Sequence, residues 1–133
     1  MQDSVDARLE QARRFFARLA SAGGGMMRER LEDAFASVPR EHFLGPGPWW
    51  ARAPGAETYI STPDADPIHV YQDLLLAIDR AKSINNGEPA LHGQMLGALD
   101  ANRGETVLHI GCGTGYYTAI LAQLVGPAGH VFG

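Results

Sequence analysis

The chain of 133 residues lacks the features that define several large classes of protein. Its single cysteine, Cys112, excludes an internal disulfide, which is consistent with a reducing compartment. No stretch reaches the roughly 18 consecutive apolar residues that a membrane-spanning helix needs. The N-terminal residues are too polar for a secretory signal, so we expect a cytoplasmic protein with no membrane partner.

The chain also lacks a strong net charge and a recognisable set of metal ligands. Eleven Lys and Arg residues against fifteen Asp and Glu residues give a formal net charge of -4. A mildly acidic chain has no electrostatic footprint for nucleic acid, so we expect no nucleic-acid partner. The five histidines are scattered without metal-ligand spacing, which predicts no metal site.

Apolar residues make up 45% of the chain, which is enough for a buried core. Apolar side chains spaced three and four residues apart predict one helix over residues 5–19 and a second from about Met26 to Ser37. The three glycines at 23–25 separate these helices, since glycine is unfavourable inside a helix. Residues 58–83 fit both a helical face and a short buried strand, and we favour extended structure there.

Clearer signals begin at residue 84. Pro89 predicts the start of a third helix, because proline suits a first helical turn. We expect the buried face of this helix to consist of Leu91, Met95, Ala98 and Leu99. A short strand over 106–110, a glycine-rich turn over 111–115, another helix and a second strand beginning at 130 follow in order.

This order of elements predicts an α/β protein. The N-terminal helices precede the first part of a Rossmann-like sheet, an incomplete doubly wound parallel sheet. We expect residues 1–83 to form a helical and loop region and residues 84–133 to begin the ligand-binding domain, the two together making one structural unit.

The turn at 111–115 is of a type that holds nucleotide-like ligands, because glycines let the backbone approach the ligand and the helix end supplies N–H donors. A phosphate-binding P-loop is excluded, since Gly115 is followed by tyrosine rather than by lysine and a hydroxyl residue. Dinucleotide binding is disfavoured, because Tyr116 occupies the position that needs a small residue. Glycines at 111, 113 and 115 are typical of class I S-adenosylmethionine-dependent methyltransferases, and a tight turn without a ligand remains an alternative.

Three segments resemble the protein-L-isoaspartate O-methyltransferase family, in the family's order and approximate spacing. Residues 107–119 resemble its first cofactor motif, and residues 34–43 resemble the end of its N-terminal helix with the Val-Pro-Arg-Glu-x-Phe signature. Residues 83–89 lie where the family carries an Ile-Ser-Gln-Pro loop. The resemblance covers roughly residues 26–133.

The resemblance implies a methyltransferase that uses S-adenosyl-L-methionine to methylate a carboxylate of a protein or peptide containing isoaspartate. The implied cofactor-binding residues are Gly111, Cys112, Gly113, Thr114, Gly115 and Tyr116. The implied substrate-binding residues are Asn85, Asn86 and Glu88. No catalytic residue is expected, because the acceptor carboxylate is already ionised near neutral pH.

The chain departs from the family pattern at three places. The serine of the substrate loop is absent, His109 stands where the family usually has an acid, and the acid that grips the ribose would fall beyond Gly133. We therefore expect an N-terminal half of a longer enzyme, or a truncated product. We expect the exposed edge of its sheet to be covered by another chain, as in a homo-oligomer. A related methyltransferase with a different acceptor, or a non-catalytic fragment acting as an interaction module, remain the alternatives.

Overall fold

The computed structural model describes residues 2–133 and contains four helices and six short strands within that range. The helices are α1 (Gln2–Ser21), α2 (Arg28–Ser37), α3 (Pro89–Leu99) and α4 (Tyr116–Val125). The strands are β1 (Trp50–Arg52), β2 (Ile60–Ser61), β3 (Leu75–Asp79), β4 (Ile84–Asn85), β5 (Thr106–Leu108) and β6 (His130–Phe132). No helix in the described range is long and apolar enough to cross a membrane.

The strands form two separate sheets. β5 and β6 pair in parallel, with Val107 opposite Val131, as expected for the start of a doubly wound sheet. The other four strands form an antiparallel sheet in the order β2-β1-β3-β4. The extended structure favoured over 58–83 is present in β2 and β3, but the antiparallel sheet was not predicted, because strands of two to five residues are too short to show a reliable alternation.

The hydrophobic core draws on both ends of the chain. Phe16 of α1 and Phe35 of α2 are completely buried and meet edge to face, with their ring centroids 6.0 Å apart. From the C-terminal segment, Tyr116 and Ile120 of α4 join the same cluster. The α/β class is thus confirmed, and the two expected segments share one core, while their division at residue 83 stays a prediction.

The expected buried face of α3 is wrong. Leu91, Met95 and Leu99 are about half exposed, whereas Gly93 and Leu96 are buried. The reason is close backbone packing: a methyl group at Gly93 would overlap the carbonyl oxygen of Ala20 in α1. Helix α3 therefore turns its glycine face towards α1, and its larger apolar side chains point away from that contact.

Candidate functional site

The glycine turn between β5 and α4 has the backbone geometry that the sequence predicts. Gly111, Gly113 and Gly115 have φ angles of 74°, 56° and 92°, a region that strains residues with a side chain. Gly115 is the N-cap of α4 and supplies no side-chain hydrogen bond to the first turn. The N–H groups at this helix end consequently lack a side-chain cap, and such groups favour an anionic ligand group.

A cavity of about 180 Å³ lies against this turn and brings two distant segments together. It is lined by Ile78, Asn85, Asn86, Gly87, His92, His109, Gly111, Cys112, Gly113, Thr114, Tyr116 and Tyr117. Seven of the nine residues predicted for cofactor or substrate are therefore neighbours in space, while Glu88 and Gly115 do not line the cavity. Their roles in binding stay predictions.

Glu88 serves instead to begin α3. It is the N-cap residue, and its backbone carbonyl accepts a hydrogen bond of 3.0 Å from the backbone N–H of His92. The imidazole Nδ1 of His92 lies 2.9 Å from the same carbonyl oxygen, so Nδ1 carries the proton in the neutral ring. The structure thus uses the main chain of Glu88, a contact that sequence spacing alone does not indicate.

Sequence reasoning missed His92 and Tyr117 as cavity residues. Their rings stack with centroids 3.7 Å apart, and the Tyr117 hydroxyl donates a hydrogen bond of 3.3 Å to the carbonyl of Gly87. Burial lowers the pKa of His92, an effect to which the nearby His109 and Arg40 add. This stacked pair supports the loop at 85–88, and no local sequence signal could reveal it, because it depends on how α3 and α4 meet.

His109 lies half-buried in the cavity wall, with its Nδ1 2.8 Å from the Thr118 hydroxyl oxygen. This hydrogen bond gives one ring nitrogen of His109 a partner within the chain. None of the described residues that line the cavity is a carboxylate. The N-terminal end of α4 therefore suits the carboxylate of a bound amino acid. For an ammonium group, the cavity wall offers acceptors but no carboxylate.

Arg40 is completely buried next to the cavity and is held by an unusually complete set of hydrogen bonds. Its Nη1 donates to the carbonyls of Val70 and Gln72 at 2.8 and 2.9 Å, and its Nη2 donates to the carbonyl of Leu74 at 2.8 Å. Its Nε and Nη2 both donate to Oδ1 of Asn86, at 3.3 and 3.2 Å. All five N–H donors of the guanidinium are therefore satisfied, and every acceptor is neutral.

The positive charge of Arg40 lies in a buried aromatic environment next to Asn86 of the cavity wall. Burial lowers the pKa of Arg40, but a guanidinium stays protonated in proteins. Its central carbon lies 5.5 Å from the ring centroid of Phe16 and 5.8 Å from that of Tyr116, which adds cation–π contacts. The buried Tyr116 hydroxyl makes no hydrogen bond in the described part of the chain, and burial raises its pKa.

A second groove adjoins the cavity. Its volume is about 230 Å³, and it shares Ile78 and Thr114 with the cavity. Most of its wall is apolar, including Phe43, Trp49 and two prolines of the segment 44–50. A ligand group in the cavity would therefore lie beside a surface that suits apolar side chains.

Comparison with known proteins identifies the family of the chain. The family model for protein-L-isoaspartate(D-aspartate) O-methyltransferase matches residues 57–133, more than half of the chain. Three similar proteins, all named protein-L-isoaspartate O-methyltransferase, come from Ignicoccus hospitalis, Aeropyrum pernix and Photobacterium profundum. They are 31%, 35% and 32% identical to the chain over 93%, 77% and 76% of its length.

The matches cover 49%, 32% and 39% of these three relatives, so the chain spans half of their length or less. The resemblance read from residues 34–43, 83–89 and 107–119 is confirmed by these matches. Because the family model covers more than half of its residues, the chain belongs to the protein-L-isoaspartate O-methyltransferase family.

Proposed function

We propose that this chain forms the cofactor-binding part of an S-adenosylmethionine-dependent methyltransferase. In this proposal the enzyme transfers a methyl group to a carboxylate of a protein or peptide that contains isoaspartate. The observation that supports it most is the single cavity in which the glycine turn 111–115 meets Asn85 and Asn86. The relatives named above support the reaction class, and the cavity supports the placement of cofactor beside acceptor.

The size of the cavity supports binding of one end of the cofactor. Its volume of about 180 Å³ is below the roughly 300 Å³ at which pockets for whole small ligands begin. The amino-acid end is therefore the group that the cavity would hold, with its carboxylate near the first turn of α4. Gly111, Cys112, Gly113 and Thr114 would surround it, with Gly115 and Tyr116 supporting the turn.

The chemistry requires little from the side chains. When bound, S-adenosylmethionine supplies a methyl group that is already electrophilic. The acceptor carboxylate has an ordinary pKa of about 4 and needs no general base near neutral pH. The residues of the chain therefore act by orienting the acceptor and excluding water, which accounts for the absence of a catalytic residue from the proposed site.

Asn85 and Asn86 are the proposed acceptor-side residues, whereas Glu88 keeps that role only as a prediction, since it lies outside the cavity. The apolar groove beside Thr114 would receive side chains that flank the methylated residue. The cytoplasmic location and the homo-oligomer also stay predictions. For the latter, Leu108, Ile110 and Phe132 present exposed apolar surface near the parallel strand pair.

The first experiment tests cofactor binding by calorimetric titration of S-adenosylmethionine into the chain. We expect Gly113→Val to abolish binding, because a β-branched residue is strained at a φ of 56° and its side chain enters the cavity. Gly55→Val is the matched control, since Gly55 has a φ of 78° and lies outside the cavity. Circular dichroism verifies that both variants keep their helices.

Equal affinity in Gly113→Val and in the unaltered chain would refute the assignment of the glycine turn. An unaltered chain that does not bind the cofactor at all would favour the interaction module instead. Methyl-ester formation on an isoaspartyl peptide, compared with the corresponding aspartyl peptide and a small carboxylate, then identifies the acceptor. A preference for the small carboxylate would favour a relative that has changed its substrate.

A further inference from the structure

The hydrogen bonds of Arg40 determine which end of the Asn86 amide faces away from it. An arginine side chain has donors and no acceptor, so the atom that contacts its Nε and Nη2 must be the oxygen Oδ1 of Asn86. This contact excludes the flipped amide, which would place two donors face to face. The position of the amide nitrogen Nδ2 is therefore fixed by Arg40.

The Nδ2 group is left as a donor without a partner in the described part of the chain. Asn86 lines the cavity, and its backbone is held separately, since its N–H donates to the carbonyl of Leu76 at 2.8 Å. Nδ2 makes none of the side-chain hydrogen bonds of residues 4–133, and it is not among the fully buried, unsatisfied polar atoms there. It can thus donate to an acceptor atom of a molecule in the cavity.

The charges around the cavity favour an anionic group as the hydrogen-bond acceptor of Nδ2. The buried guanidinium of Arg40 has only neutral hydrogen-bond partners. A carboxylate that acts on its charge, that of Asp73, lies outside the cavity wall and accepts a hydrogen bond of 2.8 Å from the N–H of Ala90. None of the described lining residues is acidic. A carboxylate in the cavity is therefore attracted both by the Nδ2 donor and by the nearby positive charge of Arg40. The effective dielectric constant at such a site is well below that of water.

We propose that Arg40 is a positioning residue that holds Asn86 so that Nδ2 donates a hydrogen bond to the methyl-accepting carboxylate. This inference rests on the proposed function, because it concerns the acceptor of the same reaction. The carboxylate of the cofactor is assigned to the uncapped first turn of α4, so the acceptor and the cofactor use different donors of one cavity. Asn86 thereby supplies a donor in a loop that lacks the serine of the family.

The test is Asn86→Asp, which changes one atom and keeps the shape of the side chain. An aspartate retains an oxygen for Arg40 and forms a buried ion pair with it, so we expect the variant to fold. It removes the Nδ2 donor and adds a negative charge to the cavity wall. We expect at least a tenfold weaker affinity for an isoaspartyl peptide, measured by titration in the presence of S-adenosylhomocysteine, and cofactor affinity within about threefold of the unaltered chain.

Asn102→Asp is the matched control for charge. Asn102 is an exposed asparagine outside the cavity, so the same substitution adds the same charge to the chain without changing the cavity wall. We expect peptide affinity within about threefold of the unaltered chain. Equal losses in both variants would overturn the inference, since they would show a general effect of negative charge on the chain.

Nuclear magnetic resonance distinguishes contact with the peptide from a purely structural role of Asn86. We expect the side-chain amide signals of Asn86 to shift when the isoaspartyl peptide is added, and those of Asn102, an exposed asparagine, to stay unchanged. In Arg40→Lys, which keeps the charge but cannot make five hydrogen bonds, the peptide should bind more weakly while the cofactor binds normally. Unmoved Asn86 signals at saturating peptide would overturn the inference.

The outcomes separate this inference from the proposed function. If the chain binds cofactor and peptide, and Asn86→Asp binds the peptide as tightly as the unaltered chain, only the role of Arg40 and Asn86 is overturned. A chain that binds cofactor but no isoaspartyl peptide overturns both the acceptor and this inference. A chain that binds neither overturns the proposed function itself.

Discussion

The packing of α3 against α1 gives the sharpest test of the fold, because the structure and the hydrophobic pattern make opposite predictions. In Gly93→Ala, the added methyl group would overlap the backbone carbonyl oxygen of Ala20 and lie 2.9 Å from the carbonyl carbon. A backbone atom cannot rotate away as a side chain can. The two helices must therefore separate for the variant to fold.

Two opposing effects determine the size of this change. Alanine is favoured over glycine inside a helix by about 1 kcal/mol, which stabilises the variant. Overpacking of a close contact costs about 1–3 kcal/mol and can cost more, and a clash with backbone belongs at the upper end. We expect a net loss of about 2 kcal/mol in the free energy of unfolding, or a fall in Tm of roughly 8 °C.

Chemical denaturation followed by circular dichroism measures this loss against two controls. Gly45→Ala adds a methyl group where no atom lies within 4 Å, so we expect a change within about 0.5 kcal/mol. Met95→Ala removes a side chain that is 49% exposed, so we expect a loss of about 1 kcal/mol or less. A stable Gly93→Ala together with a Met95→Ala loss of 2–5 kcal/mol would refute the packing and restore the hydrophobic face.

Two further predictions concern charge and surface. Since burial lowers the pKa of His92, the unfolded chain binds more protons than the folded chain just below pH 6.5, and stability should fall as the pH decreases there. His92→Phe should flatten the dependence of the unfolding free energy on pH between 7 and 5, and an unchanged slope would contradict this. Leu108 and Phe132 are 67% and 56% exposed, so replacing both with lysine should reduce self-association in sedimentation velocity at matched concentration. An unaltered chain that stays monomeric at high concentration would contradict the predicted homo-oligomer.

The parts of the fold that could be predicted are those encoded by neighbouring residues. Helix α2 buries Leu31 and Ala34 at helical spacing, and α4 does the same with Leu121 and Leu124. The glycines of the turn 111–115 adopt positive φ, as a tight turn requires. The turn also indicates the two parallel strands on either side of α4. In these segments, local propensity and tertiary packing agree, so the sequence pattern is sufficient to predict the element.

The parts that could not be predicted depend on contacts between distant residues. The buried face of α3 could not be predicted, because its close approach to α1 depends on Gly93, and a glycine carries no hydrophobic signal. Arg40 belongs to the signature in residues 34–43, but its position in the sequence does not indicate that it is completely buried and hydrogen-bonded to Asn86, 46 positions later. The stacking of His92 on Tyr117 likewise joins two helices. Seven of the twelve cavity residues were therefore predicted from motifs, whereas the interactions that support them were not.

Through its hydrogen bonds, the buried side chain of Arg40 links the cavity wall to the core. One guanidinium holds the carbonyls of Val70, Gln72 and Leu74 together with the Asn86 amide, so none of these groups can shift alone without stranding a buried donor. A change of acceptor preference during evolution would then come from replacing residue 86 or from the opposite side of the cavity. Rearrangement of the wall as a whole would require partial unfolding, which makes this side of the cavity a rigid template rather than an adaptable one.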